Sequence, residues 1–397
     1  MIIEIRGVQF VNKGAELMLH AILQQIALIW PQARIALEPK AKAPYLDRAR
    51  LGAYQKWTMR KNVLDLNRWS YLLPKRLRSW MMERWGIVTE ADIDITLDAS
   101  GFAYGDQWSS MAIRQLAWEL KRAHRFGKKY IFLPQALGPF SRPQDVRALK
   151  SALPLATLIC AREESSLENV KGLIGARPNL MQFPDFTNLM KGTVPGDYVD
   201  GQRKVLIIPN SNMISKRNAH GAWRHSYLRV LTDAVVAIRQ QGLIPVLLNH
   251  EGREDEELCQ AIQQQTGGEI AIINEPDPLK VKGIIGASHA VICSRFHGCV
   301  SALSQGVPCI GTSWSHKYER LFEEYGVSAY LLQPNATAAD VTELLASLDA
   351  TRPEILRRGD ELKKLAERMW DQVRSLAAQP KPAQPAVQPA YAVTKGS

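Results

Sequence analysis

Apolar positions along the chain follow two periods that alternate. Short, mostly apolar runs at residues 2–5, 34–37, 93–97, 130–133 and 157–161 have the length of buried strands. Segments with apolar residues at helical spacing follow some of them. One spans 16–29 and ends at Pro31, another spans 111–126 and is closed by Gly127, and a third starts at Ser165. This alternation predicts βαβ units, and so a parallel sheet with helices on both faces. Residues 191–203, rich in Gly and Asp around Pro195, read as a linker. A second series then starts afresh. Its strands are predicted at 205–208, 244–248, 270–273, 290–293 and 307–311, and its helices at 226–241, 255–265, 279–287 and 299–304. The strands end in Gly, Pro or polar residues, so one rim of each sheet is decorated as in a ligand cleft.

Residues 56–85 break the pattern. Four tryptophans, Trp57, Trp69, Trp80 and Trp85, are interleaved with eight Lys or Arg against Asp65 and Glu83 alone. Such a stretch suits an interfacial helix pressed on anionic lipid. It equally suits a helical insertion whose apolar residues cover the sheet. Past the second series, 353–376 reads as a charged amphipathic helix, and 377–397, rich in Pro, Ala and Gln, as a disordered tail. The expected fold class is α/β: two Rossmann-like lobes of GT-B type with a cleft between them. The expected domains are 1–190 and 204–352.

Composition narrows the partners. A chain of 397 residues exceeds one ordinary domain. The net charge of +11 favours an anionic partner: nucleic acid, a membrane surface or a phosphorylated substrate. No helix-turn-helix or RNA-recognition pattern is present, which sets nucleic acid aside. Five cysteines without metal-ligand spacing argue against a disulfide framework or a zinc site. The amino terminus reads as a strand rather than a leader, and no run approaches transmembrane length. The expected location is the cytoplasm, peripheral to the inner membrane face should 56–85 bind lipid.

The most informative stretch is Ser294-Arg295-Phe296-His297-Gly298. It sits between a predicted strand and a predicted helix, where open α/β sheets hold ligands and helix starts attract anions. Lys317 follows twenty residues after His297. Together Arg295, His297 and Lys317 suit a phosphate, a carboxylate, or a molecule carrying both. Arg162 opens another strand-end loop; it either reaches the same cleft or pairs with Glu163 or Glu164. Asn12-Lys13-Gly14 forms a strand-to-helix turn, and Asn210 ends another strand. Asp98 and Asp106 could assist a sugar hydroxyl and Tyr104 could stack on a sugar ring; equally, these residues form a capped turn.

These motifs resemble the polysaccharide pyruvyl transferase family. The resemblance spans most of residues 2–330. It is carried by Ser294 to Gly298, Ser301-Ala302-Leu303, Gly306-Val307-Pro308 and Trp314-Ser315-His316-Lys317-Tyr318. Supporting pieces are Asn12 to Glu16, Asp98 to Gly101, Pro134-Gln135, Arg162-Glu163 and Pro209-Asn210. One departure is Ala15, where many relatives carry Asp. The resemblance implies phosphoenolpyruvate as donor, with no other cofactor and no metal. It implies a saccharide acceptor, lipid-linked or free, and a pyruvate ketal as product. The first lobe would serve the acceptor and the second the donor. Charged His297 would act as acid, Arg295 and Lys317 would hold phosphate and carboxylate, and Arg162, with Asn12 less directly, would share in binding. The rival readings are a GT-B glycosyltransferase using a nucleotide sugar and a non-catalytic glycan- or anion-binding protein.

Overall fold

The computed structural model describes residues 1–378 apart from 62–63, 216–217, 219–220 and 314; of 61, 377 and 378 it describes the backbone alone. Trp314 and all but the first two residues of the expected tail therefore lie outside the described residues.

In chain order the first lobe contains β1 (Ile2–Arg6), α1 (Lys13–Ile29), β2 (Arg34–Leu37), α2 (Tyr45–Arg50), β3 (Tyr54–Lys56), β4 (Arg60–Lys61), β5 (Leu64–Asp65), α3 (Lys75–Trp85), β6 (Ile87–Val88), β7 (Ile95–Asp98), α4 (Ser110–Arg125), β8 (Lys129–Gln135), α5 (Pro143–Ala152), β9 (Leu158–Ala161), α6 (Glu164–Ile174) and β10 (Leu180–Gln182). The second contains β11 (Lys204–Ile208), α7 (Trp223–Gln240), β12 (Ile244–Leu248), α8 (Gly252–Gln265), β13 (Ile272–Ile273), α9 (Pro278–Ala287), β14 (Ala290–Cys293), α10 (Phe296–Leu303), β15 (Cys309–Thr312), α11 (Lys317–Glu324), β16 (Leu331–Leu332), α12 (Ala338–Ser347) and α13 (Arg352–Ala378).

The two large sheets are parallel throughout, while β4 and β5 form a separate antiparallel pair. The first runs β10-β9-β8-β7-β1-β2-β3-β6 and the second β13-β12-β11-β14-β15-β16. Strands β9 and β14 are buried at every position because helices cover both faces of each sheet. Strand order reverses between β1 and β7 in the first lobe and between β11 and β14 in the second. Each reversal leaves a crevice at the strands' carboxyl ends, since the helices that follow depart to opposite faces. The two crevices face each other, and the site lies between them.

Two expectations change. The stretch 56–85 is not an insertion outside the sheet: β3 and β6 bracket it and pair with each other, extending the sheet by two short strands, β6 at its edge. Their brevity hid them from a period-two reading. Three of its eight cations also face inward. Lys56 pairs with Glu4 at 2.6 Å, Arg60 lies 3.5 Å from Glu119, and Arg78 pairs with Asp92.

Helix α13 returns across the molecule. Ile355 joins the core of the second lobe, whereas Met369, Trp370 and Val373 are buried in the core of the first. The Trp370 ring meets Phe186 edge to face at 6.0 Å. All five cysteines are buried free thiols. Among the described residues no helix is long and apolar enough to cross a membrane.

Candidate active site

The facing crevices enclose a cavity of about 270 Å³. Asn12, Phe102 and Arg162 line it from the first lobe, and Arg295, His297 and Lys317 from the second. It adjoins a wider cleft of about 920 Å³, with which it shares Phe102, Trp108, Asn212, Glu251 and Arg295.

Local sequence explains how these side chains arrive. Asn12 caps α1, its Oδ1 accepting from the backbone N–H of Gly14 at 2.9 Å and of Ala15 at 3.1 Å. Its Nδ2 donates across the cleft to Glu251. Gly14 lies against His297: a Cβ there would come within 2.4 Å of Nδ1. A Cβ on Gly298 would strike the Cys293 sulfur, at 2.5 Å, so the turn into α10 closes only around glycine.

The cations differ in what they already hold. Arg295 is 6% exposed and fully engaged. Its Nε donates to Asp255 at 2.7 Å, its Nη2 donates to the same carboxylate, and its Nη1 donates to Glu251. The expectation that Arg295 holds a substrate anion is therefore corrected. Two carboxylates, supplied by the start of α8, neutralise it, and its guanidinium ties the β14–α10 turn to that helix.

Arg162 is the opposite case. It is 4% exposed and lies over the Phe296 ring at 4.2 Å. It is ion-paired with two buried carboxylates, Glu163 at 3.4 Å and Asp185 at 3.7 Å, but its buried Nη2 has no hydrogen-bond partner. The Lys317 ammonium stands 5.1 Å from the same Phe296 ring and 5.6 Å from Phe102. Burial, reinforced by the Arg162 charge, lowers its pKa to about 7.

His297 faces Asp185, with Nε2 3.5 Å from Oδ2. Both atoms are buried without a hydrogen-bond partner. Asp185 is fixed by Thr187, whose N–H and hydroxyl donate to its other oxygen at 3.0 and 2.6 Å. Burial holds the imidazole at a pKa of about 4; Asp185 opposes this, and Arg162, Lys317 and Lys282 add to it. In the ligand-free protein His297 is therefore neutral, which corrects the expectation of a standing imidazolium. Burial pushes the Asp185 carboxyl up; a proton on His297, the Arg162 charge and the Thr187 bonds pull it the other way, to below its usual range.

A second imidazole lines the same cavity. His250, just past β12, is 4% exposed and its Nδ1 has no partner. Burial pushes its pKa well down, helped by Arg295, His297 and Lys13.

Four other expected residues are removed from direct action. Asp98 is wholly buried and accepts from Ser100, Tyr104 and Tyr130, at 2.8 Å from the Tyr104 hydroxyl and 2.7 Å from that of Tyr130. Tyr104, 3% exposed, is therefore a strut beneath the loop and not a stacking platform. Asp106 accepts from the Ser141 N–H at 2.8 Å and lies 3.6 Å from Arg142, fastening two loops beside the cleft. Asn210 lines the cavity, but its side chain is engaged by the Ser294 carbonyl at 2.8 Å and the Asn212 N–H at 2.9 Å. The aromatic faces open to the cleft belong instead to Phe102 and Trp108.

Sequence reasoning missed Asp185, His250, Glu251 and Trp108 as site residues. For His250 and Glu251 the signal was a predicted strand ending in polar residues. For Asp185 it was Pro184-Asp185-Phe186-Thr187, an Asp-capped turn. Among the described residues no group of three or more His, Cys, Asp or Glu is placed to hold a metal ion.

The architecture recurs in solved structures. A Listeria monocytogenes protein assigned as a UDP-N-acetylglucosamine 2-epimerase superposes with a TM-score of 0.60 at 11% identity, covering 96% of this chain and 98% of that one. The UDP-GlcNAc 2-epimerase of Methanocaldococcus jannaschii gives 0.59 at 10% identity, covering 94% and 100%. A UDP complex of MnaA from S. aureus gives 0.58 at 11% identity, covering 94% and 95%. At such identities the likeness is one of fold, the two-lobed GT-B arrangement. No protein of curated function matches the sequence. The model of one family, polysaccharide pyruvyl transferase, matches residues 12–316, which run from the Asn12 cap through the Arg295–His297 turn almost to Lys317. With that match over most of its length, the chain belongs to the polysaccharide pyruvyl transferase family.

Proposed function

We propose that this protein transfers the pyruvyl group of phosphoenolpyruvate to two hydroxyls of a saccharide, forming a ketal and releasing phosphate. The observation that carries the reading is the buried Arg162 guanidinium with an open nitrogen, close to the Lys317 ammonium in a cavity between the lobes. Two adjacent cations, one with a buried nitrogen left without a hydrogen bond, suit a small molecule bearing a phosphate and a carboxylate. Arg295 shapes the turn that carries His297.

The two imidazoles divide the proton work. His297 has Asp185 behind it, so the arrival of a multiply charged anion beside Arg162 and Lys317 reverses the local field and lets it take up a proton. It then protonates the enol methylene carbon. The neighbouring carbon becomes electrophilic and accepts the first sugar hydroxyl. His250, held neutral by burial with Arg295 and Lys13 near it, receives that hydroxyl's proton. The second hydroxyl displaces phosphate, which departs with the remaining proton. Phe102 and Trp108, at the wide end, give the acceptor a surface to lie on.

The acceptor we favour is a repeat unit of an exopolysaccharide or cell-surface glycan, carried on lipid at the inner membrane face. Phosphate release from phosphoenolpyruvate across a panel of galactosides, glucosides and mannosides tests the reading, with His297→Ala as the inactive control. The fold it shares with a UDP-bound protein supports one rival, a nucleotide-sugar transferase. Thermal stabilisation by UDP and none by phosphoenolpyruvate would decide for that rival.

A further inference from the structure

The face of the first lobe that carries α3 and the end of α4 leaves large apolar groups in water. Between the turn Asn67–Leu72 and the last turns of α4 runs an apolar groove of about 720 Å³. Leu64, Trp69, Leu72 and Trp118 wall it. On its inner side Tyr71 stacks on Phe126, with ring centroids 3.7 Å apart. Trp69 is 50% exposed, Leu72 72%, Trp80 46% and Trp85 57%, far more than a buried-core role would leave.

The charges around the groove all but share one sign. With Lys56, Arg60 and Arg78 turned inward, the outward cations among the described side chains of 56–85 are Arg68, Lys75, Arg76 and Arg84, joined by Lys121 and Arg125 of α4. These six are exposed, and none is in an ion pair among the described residues. Asp65 and Glu90 are taken by Arg122, at 2.9 and 2.6 Å, which leaves Glu83 as the one exposed acid of 56–85.

We infer that this face docks on an anionic lipid bilayer, with the tryptophans and Leu72 at the depth of the headgroups and the six cations on lipid phosphates. A second copy of the chain fits poorly. A two-fold contact through this face would set the cations against their own counterparts. The inference is separate from the catalytic reading, and its test needs no substrate.

Flotation of the full-length protein with vesicles tests it, comparing phosphatidylglycerol mixed with phosphatidylcholine against phosphatidylcholine alone. Binding is expected to the anionic vesicles only and to weaken with salt. Arg68→Gln, Lys121→Gln and Arg125→Gln should each lower partitioning about fivefold. Trp69→Ser with Leu72→Ser should abolish retention while the thermal melt stays unchanged. No binding to anionic vesicles, or binding that all these variants retain, overturns the inference. So does a concentration-dependent dimer, lost in Trp69→Ser, in a protein that ignores vesicles. Vesicle binding without phosphate release would leave the docking face standing and remove the catalytic reading.

Discussion

Two arginines stand at strand ends, one in each lobe. Each follows a fully buried strand, β9 or β14, each opens a helix, and each is almost wholly buried. Arg295 is closed by Asp255 and Glu251; Arg162 is ion-paired with Glu163 and Asp185 but has one nitrogen bare. The difference teaches that a buried charge at a strand end is not in itself a binding group. What matters is whether the fold has already filled its hydrogen bonds. Arg295 is part of the frame and Arg162 is available to a ligand.

Four experiments would break or sharpen that contrast. The largest effect is expected from Arg295→Met, which strands the fully buried Asp255. Unfolding free energy should fall by about 3–5 kcal/mol in urea titration. A variant as stable as the parent would erase the distinction. Arg162→Gln should leave stability near the parent value and weaken phosphoenolpyruvate binding by about 2–3 kcal/mol in calorimetry, the worth of charge-assisted bonds. Unchanged affinity would return the anion to Arg295. Gly14→Ala should displace the His297 imidazole and lower kcat about tenfold, with the melt and phosphoenolpyruvate affinity little altered.

The smallest effect concerns pH. Lys317 is charged below its pKa of about 7 and neutral above it. Phosphoenolpyruvate should therefore bind more tightly as pH falls through that value. The dissociation constant is expected to differ several-fold between about pH 6 and about pH 8. Lys317→Arg, charged throughout, should flatten the profile.

Much of the scaffold was readable in the chain. The strands of both sheets that flank the crevices, β1, β7, β11 and β14, are short, mostly apolar runs, and their helices carry a plain 3.6-residue period. Tyr54–Lys56 and Ile87–Val88 were not readable, because two or three residues of strand have no period to detect. At the site, the turn holding Arg295 and His297 announced itself through a charged pair between strand and helix. Sequence could not separate Arg295 from Arg162, since Asp255 lies forty residues from its partner and only the folded α8 delivers it. Asp98 and Tyr104 misled for the same reason. Their polarity suggested a ligand, but a hydroxyl six residues on and another from β8 already satisfy the carboxylate. Asp185 escaped notice because its importance rests on a distant histidine.

Helix α13, roughly 40 Å long by its residue count, begins in one lobe's core and ends in the other's. Together with residues 191–203 it gives the lobes two tethers instead of one. A pair of bodies fastened at two points can swing like a door on two pins but cannot twist freely or drift apart. Asn12 and Glu251, or Gly14 and His297, would therefore part and rejoin along a repeatable arc, without searching for their register at each turnover.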